Sequence, residues 1–157
     1  MLVTAIIATG LLVGQVTETV TGTDDGCNHV LTVNLQSNDG KKGQFIVSLF
    51  DGPKSFLKEP VATRFLPATT TPRSVSFDGL CPGTYALSGY HDQNSDGKLN
   101  TNFLGIPKEP AGFSNGARGR FGPAKFDQAK FEVTGDSSYQ LLPVGKIKKQ
   151  KKERKKR

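Results

Sequence analysis

Tryptophan is absent from this chain of 157 residues, methionine occurs once, and there are only two cysteines and two histidines. A tetrahedral zinc site needs three or four N, S or O ligands. With His29 and His91 far apart in sequence, this chain offers weak material for one. No long stretch has helical period, which argues against a helix bundle. No apolar run reaches the eighteen or so residues of a membrane-spanning helix. The positive charge is also missing from most of the chain. Residues 146–157, KIKKQKKERKKR, hold nine of the twenty-one Lys and Arg residues and one acidic residue. The rest carries twelve basic and thirteen acidic residues, so the body is near neutral. That pattern excludes a nucleic-acid-binding domain with a charged face and leaves a neutral body with a basic appendage.

What is present is Gly, Pro, Thr, Ser, Val and Phe in short alternating runs, the pattern of an all-β domain. Leu31, Val33 and Leu35 share one face of a strand over 30–35. A turn at Ser37-Asn38-Asp39-Gly40 follows. Phe45, Val47 and Leu49 share a face over 44–50, and Ile46 and Phe50 make the second face apolar, as a central strand requires. Further strands are expected over 62–66, stopped by Pro67, over 73–77 with Val75 and Phe77 inward, and over 84–90, running straight into His91 and Asp92. Two more follow over 130–134 and 138–142, the last with Tyr139 and Leu141 on one face, and Phe126 to Ala129 suits one helical turn before them. About seven mostly antiparallel strands pack naturally as a β-sandwich of immunoglobulin-like or transthyretin-like type, with one long Gly/Pro-rich loop.

Residues 27–145 are read as that sandwich, and 1–22 as an export signal. Leu2 to Val13 has the length of a signal-peptide core, although no basic residue precedes it. The alternative for this run is a buried first strand. Asp-Asp-Gly before Cys27 is the wrong chemistry for lipid attachment. Export to the periplasm or beyond would favour a disulfide between Cys27 and Cys81, each of which stands at the entry to a strand. The tail, 146–157, is expected to be disordered and could meet anionic envelope surfaces; an exported protein has little access to nucleic acid. A monomer is expected.

The most informative stretch is His91-Asp92-Gln93-Asn94-Ser95-Asp96-Gly97-Lys98-Leu99-Asn100. Oxygen-bearing side chains at alternate positions, then a glycine, are how a short loop wraps a hard cation. Asp92, Asn94 and Asp96 would give side-chain oxygens, Lys98 its carbonyl, and Asn100 an oxygen directly or through water. Phe103 stands where a bidentate Glu is expected, so Glu109 is the carboxylate left to close the shell. The competing reading is a polar turn in which Asp and Asn bond their own backbone. Rather than ligate zinc, His91 is expected to cap the strand end and orient Asp92. Beyond the loop, Phe103, Leu104, Ile106, Phe113 and Phe121 are expected to pack inward as a small second core. Phe113, Asn115, Arg118 and Arg120 could instead hold an anionic or sugar ligand.

The segments Gly83-Thr84-Tyr85-Ala86, His91 to Leu99, Gly105-Ile106-Pro107-Lys108-Glu109-Pro110, Gly112-Phe113-Ser114-Asn115 and Phe121-Gly122-Pro123, with Phe126 and Ala129, resemble the bacterial DUF2141 family. The resemblance covers about residues 28–143 and implies an exported β-sandwich with no established activity. Three functional readings follow. One is a binding or accessory domain with a calcium-set loop. The second is a hydrolase using Asp92, Asp96 or Glu109 with His91 as base. The third is an envelope protein tethered by its basic tail.

Overall fold

The computed structural model describes residues 26–146 except 39 and 121. The expected export segment and all but the first residue of the basic tail lie outside these residues. The described residues form eight strands: β1 (His29–Gln36), β2 (Gln44–Phe50), β3 (Ala62–Pro67), β4 (Ser74–Leu80), β5 (Gly83–Asp92), β6 (Ala111–Phe113), β7 (Phe131–Val133) and β8 (Ser137–Pro143). A single helical turn, α1 (Phe126–Ala129), precedes β7. The fold is all-β and sandwich-like. One sheet has the order β4-β1-β8, the other β3-β2-β5-β6, with β7 pairing to the start of β5.

Alternation explains the core. Leu31, Val33 and Leu35 of β1 and Phe45, Val47 and Leu49 of β2 are buried between the sheets with Val75, Phe77, Leu87 and Leu142. β2 lies between β3 and β5, as its two apolar faces require. The turn after β1 carries the chain from one sheet to the other, so it does not close a hairpin. Cys27 and Cys81 are bonded, pinning the entries of β1 and β5 together.

Three expectations need correction. Pro67 is the last residue of β3, because this strand is an edge and its ladder needs no N–H there. In β8, Tyr139 and Leu141 point outward, 76% and 54% exposed, and Leu142 is buried. The cause is pairing: β8 runs parallel to β1 with Leu142 opposite Leu35, and Gly89 of β5 leaves the space that Leu142 fills. The third concerns the second core. It forms on the outer face of the larger sheet from Phe50, Phe56, Ala86, Phe126 and Ala129, with Phe113 and Ala117 packed on it. Phe103, Leu104 and Ile106 take no part, the first two being 94% and 65% exposed, and Phe121 lies outside the described residues.

β6 is an addition to the expected strands. Its three residues pair with Ser88 to Tyr90 of β5. Ala111 also bridges to Gly145, which joins the two sheets along this edge. A Cβ on Gly112 would stand 1.7 Å from the Pro143 carbonyl oxygen, so only glycine admits this approach. Buried Ser114 follows, its hydroxyl oxygen accepting from the Leu87 N–H at 2.9 Å.

Candidate functional site

Successive residues of a strand face opposite sides. In β5, Leu87 and His91 face the main core, and Ala86, Tyr90 and Asp92 face outward. The two residues the sequence places side by side are thus on different faces. His91 stacks on Phe45 with ring centres 4.5 Å apart, and its Nε2 donates to the Lys42 carbonyl at 2.7 Å. Its Nδ1 is buried without a hydrogen-bond partner. His91 therefore fixes the β1–β2 connection rather than turning toward Asp92.

Asp92 ends β5 and is fully buried. Its Oδ1 accepts from the Asp96 N–H at 3.2 Å. Its Oδ2 accepts from the Gly97 N–H at 2.9 Å and from Gln44 Nε2 at 3.0 Å. Burial alone would push the carboxyl up. The bonds from Gln44, Gly97 and Asp96 outweigh burial and the nearby Asp96 charge, and hold it below its ordinary value. The two loop N–H groups can reach one carboxylate because Ser95 and Gly97 both adopt left-handed backbone, with φ of 59° and 77°. Tyr90, one strand position earlier on the same face, donates its hydroxyl to the Gly97 carbonyl at 3.0 Å. Its phenol is pushed up by burial and then by Asp92, Glu109 and Asp96, so three carboxylates act on one ring.

The exposed side of the loop gathers three other side chains. Asp96 Oδ2 accepts from Asn94 Nδ2 at 2.8 Å and from Asn100 Nδ2 at 2.9 Å, and Asn100 Nδ2 lies 3.4 Å from Asn94 Oδ1. Asp96 Oδ1 accepts from the Lys98 N–H. The bonds from Asn100, Asn94 and Lys98, in that order, hold the Asp96 carboxyl below its ordinary value. Glu109 returns under the loop from the far end. It is buried, and its Oε1 and Oε2 accept from the Gln93 and Asn100 N–H groups, each at 2.9 Å. Glu109 thus ties the two limbs together through their backbone. No three His, Cys, Asp or Glu side chains are grouped to hold a metal among the described residues.

The second candidate group is spread out. Phe113 packs beside Phe56 in the outer core. Asn115 Nδ2 donates to the carbonyls of Ala129 and Lys130, at 3.3 and 2.8 Å. Arg118 and Arg120 are exposed, and the Arg118 carbonyl accepts from Gln128. Gln44 and Tyr90 complete the loop site and were not singled out by the sequence. Tyr90 lies two residues from Asp92 on the same strand face, a spacing that could have found it; Gln44 lies 48 residues from Asp92 and carried no local signal.

A family model described as an uncharacterized protein conserved in bacteria, DUF2141, matches residues 33–140. The chain belongs to this family. No curated protein and no solved structure matches it.

Proposed function

We propose that this member of an uncharacterised bacterial family is an exported β-sandwich binding or accessory domain whose long loop closes on a calcium ion. The observation that carries the ion is the meeting of Asn94, Asp96 and Asn100 on one point, above a turn that Asp92 already holds in shape. An amide group can present its oxygen or its NH2 by rotating end for end. Asn94 and Asn100 could therefore offer oxygens where they now offer N–H. With an Asp96 carboxylate oxygen and the Lys98 carbonyl these make an all-oxygen set suited to a hard cation. Asp92 and Glu109 are committed to backbone N–H groups, so they shape the loop first. A site with so few free carboxylates belongs in the weak range of extracellular calcium modules.

The hydrolase reading finds less support. General acid–base work needs groups poised in a cleft with atoms free to take a proton. The Asp92 and Glu109 oxygens are occupied by N–H donors, and His91 lies on the other face of β5. The paired Cys27 and Cys81 suit an oxidising compartment, and that pairing is the support for export. The basic tail remains the candidate contact to an anionic envelope surface.

Melting curves in millimolar calcium and in chelator test the ion. Binding to the folded state alone raises stability by about 2.7 kcal/mol at 100 times the dissociation constant. Superimposed curves would reduce the loop to a polar turn. Magnesium should substitute poorly, because it demands tighter octahedral geometry.

A further inference from the structure

Beyond the ion loop the chain builds a short rigid arm. Thr101 bridges antiparallel to Pro107. The Asn102 N–H donates to the Ile106 carbonyl and the Gly105 N–H to the Asn102 carbonyl, each at 2.9 Å. Inside the turn, Asn102 Oδ1 accepts from the Leu104 and Ile106 N–H groups at 2.9 and 3.0 Å. Gly105, at φ 73°, closes it. At the tip stand Phe103, 94% exposed, and Leu104, 65% exposed. Two adjacent large apolar side chains are thus held in water by a hydrogen-bonded turn, and no other described segment covers them.

The rim of this arm is basic. Lys98 and Lys108 flank it, and the Lys108 N–H donates to the Asn100 carbonyl at its base. Lys41 and Lys42 lie at the same end of the larger sheet, where the Lys42 carbonyl meets His91 and Gln44 pairs with Asp92. All four lysines are exposed, and none is in ion-pair contact with a carboxylate among the described residues. Asp92 and Glu109 are buried, which leaves Asp96 as the exposed acid of the loop.

We propose that Phe103 and Leu104 form an insertion tip that enters the interfacial layer of an anionic lipid bilayer, with Lys41, Lys42, Lys98 and Lys108 against the lipid phosphates. The tip is convex, and a bilayer receives a convex apolar tip without a matching pocket. Lysine is depleted at protein–protein interfaces but suits a headgroup layer, where its stem lies on apolar surface and its charge stays wet. Two apolar side chains and a few lysines give reversible docking, not an anchor. This goes beyond the calcium reading and does not need the ion, because Asn102 holds the turn.

The absence of tryptophan makes a clean test. In the full chain, Phe103→Trp should shift its fluorescence to the blue and be quenched by brominated acyl chains on vesicles of phosphatidylglycerol and phosphatidylcholine. Tyr139→Trp, on the outer face of β8, should do neither. The double variant Phe103→Ser, Leu104→Ser should lower vesicle partitioning at least tenfold at 0.15 M salt, roughly what losing two apolar contacts implies. Its melting temperature should be unchanged. Each of Lys98→Gln and Lys108→Gln should lower vesicle partitioning about fivefold at low salt. Sedimentation with vesicles without a shift at position 103 would assign contact to the basic tail and overturn the proposal. A blue shift that grows with protein concentration in the absence of lipid would assign the tip to a second copy and overturn it equally.

Discussion

Gln44 and Asp92 are register partners across β2 and β5, and the Gln44 amide donates to Asp92 Oδ2 at 3.0 Å. This bond links the sheet to the loop. It accounts for a buried carboxylate that stays charged, since the Gly97 and Asp96 N–H groups supply the remaining donors.

Gln44→Ala should cost about 1.5–3 kcal/mol near neutral pH, the range for a hydrogen bond to a charged group. The sign of its pH dependence follows from Asp92. A carboxyl held below its ordinary value adds stability above the unfolded value of about 3.9 and loses it as pH falls through the folded value. The variant lifts the folded value, so the gap between the two proteins should narrow as pH falls below both. Melting temperatures from pH 7 to 2.5 in chelator check this. A constant gap would mean that Gln44 acts through packing alone.

Asp92→Ala and Asp96→Ala should separate two roles within one loop. Asp92→Ala removes the acceptor of three donors and should destabilise even in chelator, by about 2–4 kcal/mol. Asp96 is exposed, so Asp96→Ala should change the melting temperature little in chelator and abolish the gain from calcium. An undiminished calcium gain in Asp96→Ala would place the ion elsewhere.

Two glycine substitutions should differ widely. Gly135 has φ 73° and open space around it, so Gly135→Ala should cost about 1 kcal/mol for the left-handed backbone alone. Gly112→Ala would drive a methyl group onto the Pro143 carbonyl and should cost several kcal/mol or prevent folding. Urea unfolding measures both. Similar costs would show that the seam between β6 and the end of β8 can give way.

Cys27 and Cys81 should resist thiol reagents in the native, non-reduced protein. They are 54 residues apart, and in the chain-entropy model a closed loop of that size contributes about 4 kcal/mol. Reduction should lower the urea midpoint accordingly. Two titratable thiols before reduction would contradict the pairing.

Much of the fold was legible because strand alternation is local. Leu31, Val33 and Leu35 declared the buried face of β1, and the two apolar faces of β2 declared a central strand. Asp92 to Gly97 offered two readings, a cation loop and a turn closed by its own side chains; the two backbone donors that Asp92 accepts lie within five residues, and only Gln44 is distant. The three-residue β6, built around a glycine, gave no period to read.

The sequence by itself determined an all-β chain, a polar loop and a neutral body, and made the pairing of Cys27 and Cys81 an expectation that the structure then supplied. The tertiary structure decided which side of each element faces what. Tyr139 and Leu141 alternate as a buried face would, yet pairing with β1 turns them outward and turns Leu142 in. Phe103 and Leu104 look like core residues, but Asn102 closes a turn that leaves them exposed among the described residues. Alternation and turn chemistry act over a few residues, whereas burial depends on what the fold sets opposite, which here lies tens of residues away.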